Sequence, residues 1–249
     1  MAKAMLIDTS NCLYCNACTV ECKRENNVVV GRDIFWTRMD LHEVGQYPNV
    51  RQYFIKRACN HCTQAACVDV CPTGALYHHP DGFVVLDQAK CNGCGYCSQA
   101  CPFHIPQLDV VNPLTGQAKS NKCTFCVQRT ANGGATACSM ACPFGAITFG
   151  DRDELIAKGK ERVAALQARG VSKARLYGEN EMGGLHVLYV LEEEPEVYGL
   201  PANPQYPALA NVWQKIMQPL GNVAFGATIL GIIGAFFITR RKIRMEEVR

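Results

Sequence analysis

The chain has 249 residues, 48% of them apolar, and sets 25 Lys plus Arg against 22 Asp plus Glu. A chain this long can bury a sizeable core without disulfide staples, and its 16 cysteines are too sparse for a small secreted disulfide scaffold. Residues 1–239 carry 20 charges of each sign, so the positive excess lies entirely from Arg240 onward, which excludes the basic face of a nucleic-acid binder.

At the N-terminus, the apolar stretch from Ala4 to Ile7 stops at Asp8, short of the roughly 7 to 15 apolar residues of an export signal, so no cleavable signal is expected. The cysteines then fall into four groups of four: Cys12, Cys15, Cys18, Cys22; Cys59, Cys62, Cys67, Cys71; Cys91, Cys94, Cys97, Cys101; and Cys123, Cys126, Cys138, Cys142. The first and third read C-x2-C-x2-C-x3-C, the second widens one gap to four residues, and the fourth widens it to eleven. Pro72, Pro102 and Pro143 follow the last cysteine of three groups. This is the bacterial ferredoxin pattern for [4Fe-4S] clusters, and the reading is four such clusters.

A loop with two residues between cysteines wraps three iron corners of a cubane, while the fourth cysteine sits on a turn that leads away and ligates the neighbouring cluster. Groups two and three are separated by 19 residues, enough for a hairpin of Ala75–Tyr77, a Pro80-Asp81-Gly82 turn and Phe83–Leu86. By this exchange Cys59, Cys62 and Cys67 take Cys101 (cluster 3), and Cys91, Cys94 and Cys97 take Cys71 (cluster 4). By elimination Cys12, Cys15 and Cys18 take Cys142 (cluster 1), and Cys123, Cys126 and Cys138 take Cys22 (cluster 2).

The expected fold is α+β: two ferredoxin-like 2[4Fe-4S] units in tandem, one inserted in the other, followed by one C-terminal transmembrane helix. The outer unit covers 1–58 and 110–191, the inner unit 59–109. Each oxidised cluster with four thiolates carries about −2, so loading takes the formally neutral domain to about −8. Zinc competes, because C-x2-C pairs also form zinc knuckles across spacers of about 12 to 20 residues, and the fourth group, with its spacer of eleven, taken alone could pass for one. A structural zinc-binding adaptor is therefore the alternative from another class. No G-x-G-x-x-G, P-loop or other catalytic constellation is present, so no catalytic residue is assigned. His61, His78, His79 and His104 read as solvated loop histidines. Lys56, Arg57, Lys90 and Lys122 precede cluster loops and read as ordinary surface cations, although the same charges could offset those of the clusters.

After Cys142, Pro143–Phe149 reads as a short strand. A surface helix is expected over 152–168, with Asp151 and Glu154 as a capping-box-like start, Leu155, Ile156, Val163 and Leu166 on one face, and Gly170 as the stop. Leu185–Leu191 fits a strand, and Glu192–Pro207, with four prolines, opens a linker extending over 192–219. The uncharged run from Leu220 to Thr239, at about 1.5 Å per residue, spans roughly 30 Å, the thickness of a bilayer core. A buried core helix is the alternative; Trp213 upstream and Arg240, Arg241, Lys242 and Arg244 downstream favour a single membrane span of 220–239. The basic tail, 240–249, puts the C-terminus in the cytoplasm and the large domain on the outer face. Ala227, Gly231 and Ala235 make a small-residue face on that helix, which allows close approach of a partner helix.

The four groups in this order, together with Cys91-Asn-Gly-Cys-Gly-Tyr-Cys-Ser-Gln-Ala-Cys-Pro-Phe-His-Ile-Pro106, Lys122-Cys-Thr-Phe-Cys-Val127, Gly183-Gly-Leu-His-Val-Leu-Tyr-Val190 and Tyr198-Gly-Leu-Pro201, resemble the iron-sulfur (beta) subunit of membrane-bound respiratory formate dehydrogenases. The resemblance covers nearly the whole chain. It implies a non-catalytic electron-transfer subunit with all sixteen cysteines as ligands. It also implies a molybdopterin-containing catalytic (alpha) partner, whose twin-arginine signal carries the folded chain outward, and a membrane cytochrome b (gamma) partner, with the iron-sulfur domain on the periplasmic face of the inner membrane. The cysteine groups alone are shared with subunits serving polysulfide, thiosulfate, nitrate and sulfoxide reductases, so the same relay for one of those enzymes is the nearer alternative.

Overall fold

The computed structural model describes residues 2–31, 33–212 and 216–242; Trp213 and the tail residues Arg244, Glu246, Glu247 and Arg249 lie outside the described residues. The chain divides into two units, Met1–Pro207 and Ala208–Arg249.

The strands of the first unit are β1 (Lys3–Asp8), β2 (Thr37–Val44), β3 (Arg51–Ala58), β4 (Leu76–His78), β5 (Val84–Leu86), β6 (Gln107–Asn112), β7 (Gln117–Asn121), β8 (Ile147–Asp151), β9 (Arg175–Tyr177) and β10 (Val187–Leu191). Its helices are α1 (Ala17–Glu25), α2 (Ala66–Asp69), α3 (Tyr96–Gln99), α4 (Val127–Thr130), α5 (Ala137–Met140) and α6 (Arg152–Ala168). The second unit holds α7 (Ala208–Val212) and α8 (Gln218–Lys242).

A four-stranded sheet in the order β8-β1-β10-β9 forms the base of the first unit, with β1 parallel to β10 and antiparallel to β8. Successive strand residues point to opposite faces. Ala4, Leu6, Leu188 and Val190 accordingly meet Leu155 and Leu166 of α6, while Met5, Ile7, Val187, Tyr189 and Leu191 face a larger core that contains Cys18 and Cys138. The helix thus covers one side of the sheet and the cysteine loops the other. Fully burying each of these aliphatic side chains stabilises by about 1.5–3 kcal/mol, so both faces hold the sheet. Three antiparallel hairpins, β2-β3, β4-β5 and β6-β7, stand on the cysteine side of the sequence between β1 and β8.

The hairpin between groups two and three forms with Leu76 opposite Leu86 and His78 opposite Val84. Gly82 in its turn has φ +95°, and an added Cβ would lie 2.3 Å from the His186 ring, so the turn accepts no side chain there. Helix α6 runs over the expected residues and stops before Gly170 at φ +91°. Its start differs from the capping box. Asp151 makes no side-chain cap; its carboxylate instead accepts from Lys3 Nζ at 2.8 Å, joining β1 to β8.

The linker expected from Glu192 is also corrected over its first part. Residues 192–207 belong to the first unit, and Pro195, Tyr198 and Leu200 are buried. Tyr198 Oη accepts from Thr9 Oγ1 at 3.3 Å and from the Glu192 N–H at 3.2 Å, while Tyr177 Oη donates to Pro201 O at 2.8 Å. Pro195 opens a short 3-10 turn, Pro195–Tyr198, and the buried Tyr198 pins the segment to the core.

In the second unit, Gln218–Arg240 has mean hydropathy 1.9 with none of its apolar window buried, so it is long and apolar enough to cross a membrane. Thr228 and Thr239 turn their hydroxyls onto Ala224 O and Ala235 O at 2.8 and 2.7 Å, which satisfies both donors inside the helix.

Candidate metal centres

The four C-x2-C loops share one backbone feature. The residue before the second cysteine is left-handed in each: Tyr14 (φ 55°), His61 (φ 49°), Gly93 (φ 76°) and Phe125 (φ 61°). Three of the four are not glycine, a conformation uncommon for such residues. It turns each loop back on itself, so two thiols flank a single concavity. At Gly93 no alternative exists, since an added Cβ would lie 2.2 Å from Ala118 O.

The third cysteine of each group lies in the first turns of a short helix, and the fourth follows four residues later: Cys18 and Cys22 around α1, Cys67 and Cys71 around α2, Cys97 and Cys101 around α3, Cys138 and Cys142 around α5. Helix α1 packs on α5, and α2 on α3. These paired helices bring together thiols from different groups. Cys12, Cys15, Cys18 and Cys142 line one cavity, and Cys71, Cys91, Cys94 and Cys97 line another. Among charged groups Cys22 acts most strongly on the Cys123 thiol, followed among the cysteines by Cys126 and Cys138. Cys62 has Cys59, Cys101 and Cys67 around it.

Polar groups outside the cysteine motifs complete these sets. Ser120 donates its N–H to Cys91 Sγ at 3.3 Å and places its hydroxyl 3.3 Å from Cys97 Sγ. The Phe125 N–H points at Cys123 Sγ at 3.4 Å, and Asn26 Nδ2 lies 3.8 Å from Cys22 Sγ and 4.0 Å from Cys126 Sγ. Sequence reasoning missed Asn26 and Ser120; their signal is only closeness, four residues after Cys22 and three before Cys123.

All sixteen cysteines are free thiols. Burial pushes Cys18, Cys22 and Cys101 up to about 11, pushes Cys67 and Cys123 higher still, and raises Cys62 well above the ordinary thiol value. Cys71 goes the other way: burial opposes ionisation there, but the N–H groups of Leu76, Thr73 and Ala75 and the Thr73 hydroxyl outweigh it. Buried sulfur of this kind ionises only when a cation replaces the proton, which is how metal loading works at thiol sites. The donor chemistry therefore fits iron-sulfur clusters. A lone zinc ion needs its sulfur donors at about 2.3 Å from one point. Among the described residues no group of three or more His, Cys, Asp or Glu converges on a single ion in this way.

Two cations expected on the surface are buried. Lys56 is 2% exposed and Lys122 is fully enclosed, whereas Lys90 is exposed and Arg57 half-buried. Lys122 Nζ donates to Val84 O at 2.7 Å and to Cys123 O at 2.8 Å. Lys56 Nζ has no hydrogen-bond partner among the described residues. His61, expected in solvent, is buried with its Nδ1 2.9 Å from Val84 O and its ring edge-on to Phe125 at 4.6 Å. Burial, reinforced by the Lys122 charge, holds it neutral well below the ordinary histidine value. His78 and His104 are exposed and His79 is half-buried. The expectation failed at Lys56, Lys122 and His61 because polarity alone does not show that a core contains countercharge.

Loops that fold thiols into concavities, helices that share them out, and sulfur that stays protonated until metal arrives define an iron-sulfur protein of the ferredoxin-like class. In agreement, residues 50–152 match the 4Fe-4S dicluster domain family. The chain is 36% identical over 252 residues to the formate dehydrogenase iron-sulfur subunit of Haemophilus influenzae, covering 94% of this chain and 79% of the relative. It is 38% identical over 248 residues to the formate dehydrogenase-O iron-sulfur subunit of Escherichia coli, covering 92% and 81%. It belongs to the family of formate dehydrogenase iron-sulfur subunits, which are electron-transfer and not catalytic subunits. The thiosulfate reductase electron transfer subunit of Salmonella typhi is 42% identical over a shorter stretch of 151 residues, 60% of this chain and 76% of that one.

Proposed function

We propose that this chain relays electrons from formate, oxidised on a molybdenum- or tungsten-pterin catalytic subunit, through four [4Fe-4S] clusters to a membrane cytochrome b and the quinone pool. The observation that carries the reading is the assembly of cysteine sets across group boundaries. Cys12, Cys15, Cys18 and Cys142 hold the first cluster; Cys123, Cys126, Cys138 and Cys22 the second; Cys59, Cys62, Cys67 and Cys101 the third; Cys91, Cys94, Cys97 and Cys71 the fourth. The two pairs make an outer and an inner ferredoxin-like unit, the second inserted in the first. Bound clusters supply one-electron exchange without proton transfer.

The residues between the sets support a linear series. Cys18 and Cys138 lie in one buried core, Cys59 and Cys123 share another, and Cys97 packs in a third with Cys67 beside it. Cys15, in the first set, and Cys94, in the fourth, are the two exposed thiols. Electrons therefore enter and leave at opposite ends of the series, while the interior thiols are shielded from water. Helix α8 anchors the chain as a single pass, with its basic end in the cytoplasm and the cysteine domain on the periplasmic face.

The test is iron and labile sulfide per chain in anaerobically purified complex, with an EPR-monitored redox titration. About sixteen irons and four reducible centres are expected; fewer than about three clusters' worth of iron would sink the reading. The similarity to a thiosulfate reductase subunit favours one second reading, the same relay for a sulfur-compound reductase. Identifying the co-purifying large subunit and assaying it with formate and an artificial acceptor separates the two.

A further inference from the structure

Lys56 is the one buried cation in the cysteine core whose head group is left without a hydrogen bond among the described residues. It lies on β3 two residues before the strand ends, where its register partner is Met39 of β2, and it lines the same cavity as Cys12, Cys15, Cys18 and Cys142. The strongest electrostatic influences on it come from Cys138 and Cys123 of the second set, ahead of Cys18 of the first. The ammonium is thus within electrostatic reach of both sets. Lys122 differs, because both backbone carbonyls it reaches give it ordinary partners.

An unpartnered ammonium excluded from water is unfavourable unless negative charge lies close by. No carboxylate among the described residues pairs with Lys56; the groups around it are sulfur and the Tyr189 hydroxyl, which itself donates toward Lys56 O at 3.3 Å. The lysine head group therefore sits where cluster charge would arise.

We propose that Lys56 is a shared countercharge for the first and second clusters, raising the reduction potential of both relative to the other two. The proposal rests on the ligand sets given above. Adding an electron makes each cluster more negative, so a fixed positive charge stabilises the reduced form more than the oxidised one. One side chain thereby couples two sites: it favours electron residence on that half of the relay, and an electron on one cluster partly offsets the charge the other feels.

The experiment is an EPR-monitored redox titration of the whole complex carrying Lys56→Met, Lys56→Gln or Lys56→Arg, with iron counted in each. The second cluster is assigned by its absence in Cys22→Ala. The neutral variants should shift two potentials downward, those of the first and second clusters, and leave the other two nearly in place; Lys56→Arg should keep all four near the parent values. Should the neutral variants fail to hold iron, Lys56→Arg should restore it, since charge is the property at issue. Full iron with unmoved potentials, an equal shift of all four, or loss of iron that arginine does not restore would each overturn the proposal. Too little iron in the parent complex would instead count against the four-cluster reading.

Discussion

Cys18 and Cys22 lie one turn apart on α1, yet their thiols face different partners. Cys18 lines a cavity with Cys12, Cys15 and Cys142, whereas Cys22 adjoins Cys123, Cys126 and Cys138. Residues four apart share a helix face and are offset by one turn along its axis, so one face of α1 delivers one sulfur to each of two neighbouring sets. Its partner α5 does the same in reverse through Cys138 and Cys142. Under the proposed ligand sets, two local motifs far apart in sequence are in this way tied together.

The partition predicts a non-local phenotype. Cys22→Ala should remove the cluster associated with Cys123, Cys126 and Cys138, although Cys22 belongs to the first motif, and should leave the first cluster in place. Iron should fall by about four per chain, with one EPR signal lost and the others retained. Loss of the signal that also disappears in Cys12→Ala, with the Cys123-dependent signal intact, would contradict the pairing.

Gly93 offers a second local test. At φ +76° a side chain is strained by about 1–2 kcal/mol, and the added Cβ would also meet Ala118 O at 2.2 Å. Gly93→Ala should therefore open the loop between Cys91 and Cys94, lowering occupancy of the fourth cluster. Gly170→Ala is a control that shares the positive φ (+91°) but has open space around it. It should retain full iron, which separates a crowded cluster loop from backbone strain in general.

Asp8 closes the strand that leads into the first loop. Its carboxylate accepts from Ser10 N at 3.0 Å and from Arg162 Nε at 2.7 Å, and Arg162 also reaches Ser10 Oγ at 2.8 Å. The pair is only partly enclosed, with side-chain exposures of 10% for Asp8 and 26% for Arg162, so solvent screening reduces its worth. Asp8→Ala should destabilise by about 1–3 kcal/mol through the lost cap and the stranded guanidinium. The measurement is the apparent midpoint of thermal loss of visible cluster absorbance, which should drop by several degrees while iron content at low temperature stays normal.

His186 sets a direction for pH dependence. Burial, and then the Arg152 and His78 charges, lower its pKa from 6.5 even though its ring nitrogen lies 2.6 Å from Lys3 O. The unfolded chain therefore takes up this proton more readily than the folded one, so the folded state loses stability as pH falls below about 6.5 and ceases losing it below the depressed value. In His186→Asn that increment disappears. The variant should be less stable than the parent at pH 7.5, where it lacks the native contact, but its thermal midpoint should fall less between pH 7 and about pH 5.5. Parallel curves for the two proteins would rule out this contribution.

The cysteine motifs were legible because each C-x2-C loop and its helix form within a short stretch, and spacing encodes them directly. Helix α6, the β4-β5 hairpin and the apolar α8 were legible for the same reason, through periodicity, turn residues and length. Tertiary charge was not legible. Lys56 and Lys122 carry the same sequence signature as exposed Lys90, and only the closure of β3 and the fourth loop around sulfur distinguishes them. The β2-β3 hairpin left no clear pattern, since only one end of it is buried. Prolines in 192–207 indicated a free connector, while Tyr198 and Leu200, which hold it to the core, are too few to register as a pattern.

The division of the chain at Pro207 leads to a final prediction. Residues up to Pro207 contain all sixteen cysteines, the four-stranded sheet and both of its packed faces, whereas the apolar window of Gln218–Arg240 is unburied among the described residues. Ending the chain after Pro207 should thus leave cluster binding intact and abolish membrane retention. Anaerobic fractionation should move the chain from detergent extract to the soluble fraction with about sixteen irons, because no cluster ligand is removed. A shortened chain that stayed with the membrane in high salt would locate retention in contacts of the cysteine domain with a membrane partner. One that became soluble but lost iron would show that α7, α8 or the segment between them is needed to complete the fold.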